Sequence, residues 1–142
     1  MKALRHTLVS EGTTDANLIP IIDWSLKRVG GVDLSEGVRA EFWRLQRKPD
    51  GLAERLAKAV ELSPCDILFV HRDADRDPPE VRIDEIREAV AVIRKQGIQL
   101  PAVAVVPVRM MEAWLGFDEL AIRKAAGHPK GTSPLSLPPL KR

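Results

Sequence analysis

Apolar residues along the chain fall into short runs and helical spacings that alternate. Short apolar or alternating runs predict strands at residues 3–9, 38–45, 67–70 and 102–106. Apolar residues spaced three and four apart predict helices at 15–29, 52–62, 81–96, 110–117 and 120–126. Alternation of this kind is typical of an α/β domain, with a mostly parallel sheet of about four strands and helices on both faces. For residues 38–45 a helix is a live alternative.

The third predicted strand is followed by two carboxylates. The apolar residues 67–70 lead into Asp73 and Asp75, called here the aspartate pair. Side chains two positions apart on an extended segment point to the same side, and open parallel sheets bind ligands just beyond the carboxyl ends of their strands. Neighbouring carboxylates repel each other unless a cation lies between them, and Mg²⁺ takes oxygen ligands. We therefore interpret the aspartate pair as candidate metal ligands.

A second acidic element follows the first predicted strand. Glu11 and Gly12 lie at the turn into the first helix, where Thr13 or Thr14 is placed to cap it. Asp15 would favour the first helical turn through the helix dipole. Because parallel strands end at the same edge of a sheet, we expect Glu11 and the aspartate pair to converge.

Each of these carboxylates also has a purely structural interpretation. Glu11 would then be a solvated turn residue, and Asp15 a charge at a helix N-terminus. The aspartate pair would form surface ion pairs with Arg72 or Arg76. His71 would be a partly buried histidine with a backbone partner, although it is also placed to act as a ligand or to orient water.

These motifs resemble those of a known domain. The phrase EGTTD at 11–15, with the later Asp-x-Asp after a buried strand, resembles the TOPRIM domain of topoisomerases, primases and OLD (overcoming lysogenization defect) nucleases. EGTTD is most similar to the OLD-type version. The phrases EAWL at 112–115 and AIRKAAGHPKG at 121–131 resemble a bacterial TOPRIM-like family of unknown function. The resemblance extends over about residues 4–140.

The resemblance implies phosphodiester chemistry dependent on Mg²⁺ or Mn²⁺, foremost cleavage of DNA or RNA. The aspartate pair would hold the ion, which stabilises charge on the phosphate and lowers the pKa of bound water. Glu11 would be a ligand or the general acid/base, and Asp15 and Glu112 would support a second ion. Lys48 or Arg109 would contact phosphate. OLD nucleases carry an ATPase domain that this chain lacks, so an ATPase or other partner and a role in phage defence are family-level expectations.

Two other functions compete with this interpretation. The first is a non-catalytic interaction module with the same fold, whose acidic residues serve solubility or docking. The second is a phosphatase of the haloacid-dehalogenase type, which also has Asp-x-Asp after a strand. That family places the pair at its first strand, whereas here it follows the third and precedes Arg76 and Asp77.

Composition excludes few classes of fold or function. A chain of 142 residues with 44% hydrophobic residues suits one domain. With 22 basic and 20 acidic residues the net charge is +2, so no global field attracts nucleic acid. A local basic face, or a solvated edge, is predicted at Arg39, Arg44, Arg47 and Lys48. The single Cys65 excludes an intramolecular disulfide.

The remaining predictions concern location and boundaries. The N-terminus lacks the apolar region of a signal peptide and no segment reaches membrane-spanning length, which predicts a cytoplasmic protein. The TOPRIM-like domain is predicted at 1–126 and a proline-rich tail at 127–142. Relatives in the resembled family continue beyond such a Pro-Pro-Leu phrase, so a truncated, inactive form stays open. Trp24 and Trp43 are predicted to lie in the core.

Overall fold

The fold is a parallel sheet covered by helices on both faces. The computed structural model describes residues 1–108, 120, 123–124, 126–128, 130–132 and 134. Its elements are β1 (Ala3–Val9), a 3-10 turn (Thr14–Asn17), α1 (Leu18–Arg28), β2 (Leu34–Arg39), α2 (Gly51–Leu62), β3 (Ile67–His71), α3 (Pro79–Lys95) and β4 (Ala102–Val105). The strands form one parallel sheet in the order β2-β1-β3-β4. The predicted α/β class is confirmed.

Alternate side chains of the two central strands enter two different cores. Strand residues Val9, Leu68 and Val70 pack with α2 and α3 on one face, where Leu56 and Ile93 are buried. The opposite face of the same strands carries a second cluster, which joins Leu8 and Phe69 to Leu18 and Ile22 of α1. Because strand side chains alternate between faces, a continuous apolar run is what a strand covered on both sides requires.

The predicted second strand was wrong in its position. β2 covers Leu34–Arg39 instead of 38–45, and residues 40–50 form neither helix nor strand. β2 lies at one edge of the sheet, and its polar residues and glycine give it a weak strand pattern. Gly37 pairs with His6 of β1. A Cβ on Gly37 would overlap the His6 imidazole and lie 2.8 Å from Ile19 Cγ2, so the glycine permits a close approach.

A buried polar network joins β1, α1 and β2. His6 Nε2 lies 2.8 Å from Asp23 Oδ1, and the Ser35 hydroxyl donates to the same oxygen at 2.6 Å. Burial acts to raise the pKa of Asp23, but the hydrogen bonds from Ser35 and His6 and the nearby His6 and Lys27 charges outweigh it. The pKa of Asp23 is therefore lowered from its ordinary value of 3.8. The ionised carboxylate fastens α1 to the sheet.

This network predicts a defined acid sensitivity. A carboxyl whose pKa is lower in the folded state contributes stability above its unfolded pKa and loses it as pH falls through its folded pKa. We expect Asp23→Asn to lower the free energy of unfolding by about 1 kcal/mol near pH 5. The difference from wild type should shrink as pH falls below the ordinary value of 3.8. Urea denaturation from about pH 5 to about pH 2 measures both, with Asp84→Asn as a surface control. Parallel curves for wild type and Asp23→Asn would contradict the assignment.

Other sequence predictions fall partly outside the described residues. The helices predicted at 110–117 and 120–126, and the boundary between domain and tail, lie wholly or largely there. None of the helices that the structure describes is long and apolar enough to cross a membrane.

Candidate metal centre

The carboxyl ends of the two central strands lie side by side. β1 and β3 are neighbours, and their last paired residues are Val9 and Val70. The chain therefore leaves the sheet at the same edge in both strands. Glu11 follows β1 by two residues and Asp73 follows β3 by two residues, so both carboxylates lie at the edge where the sequence predicts them.

His71 is the buried centre of this edge. It is the last residue of β3 and only 2% exposed. Its Nδ1 lies 3.3 Å from Asp15 Oδ2, and its Nε2 lies 3.6 Å from Asp73 Oδ1. Neither ring nitrogen makes a well-aligned hydrogen bond within the described part of the chain. The predicted backbone partner of His71 is thus replaced by a carboxylate on each side, which sequence reasoning missed.

Asp15 closes the turn that carries Glu11. Its Oδ2 accepts a hydrogen bond from the Gly12 N–H at 2.9 Å, and no side-chain cap from Thr13 is present. Asp15 is buried. The same carboxylate oxygen contacts His71, so Asp15 links the β1 turn to the end of β3. This contact explains its place in the chain better than the helix dipole does.

The charges of three other candidate carboxylates act on Asp73. Burial raises the pKa of Asp73 most, and His71 acts to lower it. The negative charges of Asp15, Asp75 and Glu11 each raise this pKa further. The pKa of Asp73 is therefore above its ordinary value. Of the five acidic residues singled out in the sequence, Glu11, Asp15 and Asp75 therefore act electrostatically on Asp73, and Glu112 lies outside the described residues.

Asp75 departs from the predicted extended path. β3 ends at His71, and Asp75 has a φ of 54°, in the left-handed region. Aspartate adopts this region more readily than most residues do. The same-side argument for two aspartates on a strand therefore does not apply to the aspartate pair. The Asp75 side chain is 71% exposed, farther out than Asp73.

Two arginines partly balance the carboxylates of Glu11, Asp15, Asp73 and Asp75 at the carboxyl ends of β1 and β3, called here the acidic edge. Arg72 Nε lies 3.1 Å from Glu11 Oε1, as an ion pair without hydrogen-bond alignment, and its Nη2 lies 3.4 Å from Glu85. Arg82 of α3 lies 3.3 Å from Asp77 and 4.0 Å from Asp75. In the structural alternative given above, Arg72 or Arg76 would form ion pairs with the aspartate pair. Instead Arg72 contacts the glutamates, and Arg82 reaches Asp75 from one turn into α3.

The oxygen donors at this edge suit a hard cation. Among the described residues, no three His, Cys, Asp or Glu side chains are grouped closely enough to hold a metal ion by themselves. Mg²⁺ commonly keeps several waters and binds through one or two carboxylates. Asp73, with Glu11 or Asp75, fits that mode of binding. The candidate ligand Glu112 and the candidate phosphate contact Arg109 lie outside the described residues.

Lys48 lies beside the acidic edge, in a groove at the carboxyl end of β2. The groove has a volume of about 520 Å³ and is called here the basic groove. The residues that line it include Thr13, Arg39, Glu41, Phe42, Trp43, Lys48 and Arg55. The prediction that Trp24 and Trp43 lie in the core was wrong, since each is 64% exposed. An indole is mostly apolar, and its pattern alone did not distinguish a core position from a groove wall.

Comparison of the chain with protein-family models, curated proteins and solved structures finds no match. The assignment of a function therefore depends on the geometry of the acidic edge and on the resemblance in its motifs.

Proposed function

We propose that the chain is a metal-dependent phosphodiesterase, foremost a DNA or RNA nuclease that uses Mg²⁺ or Mn²⁺. One observation carries this proposal. Glu11, Asp15, Asp73 and Asp75 follow two adjacent central strands at their carboxyl ends, where the charges of the other three act on Asp73. Ligand sites of open parallel sheets lie at this edge. Crowded carboxylates there are stabilised by a cation.

The roles of the residues follow from their exposure and contacts. Asp73, with Asp75 or Glu11, would hold the cation together with waters, and the cation would supply charge stabilisation for a phosphate group. Glu11 is half exposed and its carboxylate contacts Arg72, so it is accessible to a substrate and held in place. We assign Glu11 the general acid/base role. Asp15 is buried against His71, an arrangement that favours positioning of Asp73 over binding of a second ion.

A non-catalytic interaction module is the second candidate. Arg72 and Arg82 already neutralise part of the acidic edge through contacts to Glu11 and Asp75. Such ion pairs stabilise a loop without any metal, which favours this alternative. A phosphatase gains no support from the position of the aspartate pair after β3. An ATPase partner, a role in phage defence and a cytoplasmic location stay predictions from the resemblance and the sequence.

Metal binding and apo stability test the proposal together. We expect Mg²⁺ or Mn²⁺ to raise the melting temperature, since an ion bound by the folded state adds about 2.7 kcal/mol at a hundredfold excess over Kd. Asp73→Asn should abolish this increase. In EDTA the same variant should melt above wild type, because it removes one of several repelling, partly buried charges. Differential scanning calorimetry measures both effects.

Asp66→Asn is the matched control. Asp66 precedes β3 at the opposite edge of the sheet, where it contacts Arg5. The Asp66→Asn variant should show the same increase in melting temperature with Mg²⁺ or Mn²⁺ as wild type. An unchanged increase in Asp73→Asn would place the ion elsewhere, and no increase in wild type would favour the interaction module.

A further inference from the structure

The basic groove combines three cations with an exposed aromatic ring. Arg39 ends β2, Trp43 follows it, Lys48 precedes α2, and Arg55 extends from α2. The carboxylate that lines the groove among the described residues is Glu41. Three cations against one carboxylate make the groove positive, although the net charge of the whole chain is only +2.

Hydrogen bonds to Ser10 orient the two arginines of the groove. Arg39 Nε donates to the Ser10 hydroxyl at 3.0 Å, and Arg55 Nη2 donates to the Ser10 carbonyl at 2.9 Å. Arg39 Nη1 lies 3.6 Å from Glu41. A guanidinium has five N–H donors, so each arginine keeps donors for an anion. Lys48 is exposed at the rim of the groove. Phosphate oxygens are the acceptors that such an array recognises.

The aromatic wall is held in place as well. Trp43 Nε1 donates to Glu41 Oε2 at 2.8 Å, and the Arg44 guanidinium lies 4.5 Å from the centre of the Trp43 ring. The indole is nevertheless 64% exposed. Phe42 is half-buried beneath Arg55, whose guanidinium lies 5.6 Å from the ring centre. Stacking surfaces beside a line of cations are the means by which proteins bind single strands.

We propose that the basic groove binds a single-stranded segment of DNA or RNA. Arg39, Lys48 and Arg55 would contact its phosphates, and a base would stack on Trp43. A duplex keeps its bases stacked on one another, so it cannot use the indole in this way. The single strand is therefore the occupant that both the charge and the exposed ring favour.

The groove and the acidic edge share one wall. Arg39 and Arg55 both hold Ser10, and Thr13 lines the groove. Glu11 lies between Ser10 and Thr13 in the same turn. A single-stranded nucleic acid bound in the groove would therefore continue towards these carboxylates. This orientation rests on the proposed nuclease function, whereas binding in the groove does not.

Binding is measured in EDTA, so that cleavage plays no part. The probes are fluorescein-labelled oligo-dT and oligo-rU of about 12 nucleotides, and a duplex of the same length. Fluorescence anisotropy should show that Trp43→Ala weakens binding of the single strands by about 5- to 150-fold. Trp43→Phe should restore most of it. Lys48→Ala should reduce the slope of log K against log salt by about 0.7.

Trp24→Ala is the matched control. Trp24 belongs to α1 and is as exposed as Trp43, at 64%. Equal affinities for Trp43→Ala and Trp24→Ala would overturn the proposal, as would duplex binding that matches the single strands. Asp66→Asn, at the other end of the sheet, should bind the oligonucleotides like wild type. If Mg²⁺ or Mn²⁺ does not stabilise the protein but Trp43→Ala weakens binding, the nuclease proposal is wrong and single-strand binding in the groove is supported. If the metal stabilises the protein but Trp43→Ala binds like Trp24→Ala, only the proposal for the groove is wrong.

Discussion

Replacing Glu11 with glutamine is expected to lower the rate of metal-dependent DNA or RNA cleavage by about 10²- to 10⁴-fold. That range is the contribution of a positioned general acid/base. Glutamine keeps the shape of the side chain but removes its charge and its capacity to exchange a proton. The contact with Arg72 is at the surface, so stability should change by about 1 kcal/mol or less. Plasmid and single-stranded substrates with Mg²⁺ or Mn²⁺ give the rates.

Glu36→Gln is the control for this loss. Glu36 is an exposed residue in the middle of β2, away from the carboxyl ends of the strands. The Glu36→Gln variant should therefore cleave like wild type. Equal cleavage by wild type and Glu11→Gln would show that any activity does not use this site. If wild type does not cleave either substrate, the interaction module becomes the better interpretation.

Replacing Gly37 with valine is expected to destabilise the fold by about 3 kcal/mol, the upper part of the range for overpacking. Any Cβ at this position overlaps the His6 imidazole. His6 cannot move aside easily, since it contacts Asp23 at 2.8 Å and packs edge-on against Phe69. The free energy of unfolding in urea measures the effect, and circular dichroism shows whether the variant still folds.

Val38→Ala is the neighbouring control. Val38 is exposed on the same edge strand, so the change should alter stability by about 0.5 kcal/mol or less. A Gly37→Val protein as stable as wild type would mean that β1 and β2 do not pair His6 with Gly37. The register of the edge strand would then need revision.

The elements that could be predicted are those whose pattern reflects burial. β1 was predicted with its observed bounds, and β3 and β4 to within one residue, because their apolar residues are selected by packing. β2 was missed because an edge strand buries little, and its Gly37 is required by a neighbour 31 positions earlier in the chain. No local pattern reports a requirement that another strand imposes.

The candidate site also has one part that the sequence predicts and another part that it does not. The edge at which Glu11 and Asp73 lie follows from strand order, since parallel strands end on one side. The contacts that organise this edge do not follow from it. Asp15 meets His71 because α1 packs on the face of β3 that carries Phe69 and His71, and Arg82 reaches Asp75 from the first turn of α3. Trp43 lines a groove that exists only once β2 and α2 are placed.

The left-handed backbone at Asp75 has a consequence for how related sequences would vary. Asparagine and glycine adopt a φ near 54° with little strain, whereas β-branched residues do so rarely. The loop after β3 therefore requires a residue at position 75 that can adopt a left-handed backbone, whatever its charge. A relative with Asn here would keep the shape of the loop and lose the carboxylate charge, and one with Gly would keep the shape and lose the proposed ligand. A relative with Val, Ile or Thr here would have rebuilt the loop itself, so the two kinds of change separate loss of chemistry from loss of structure.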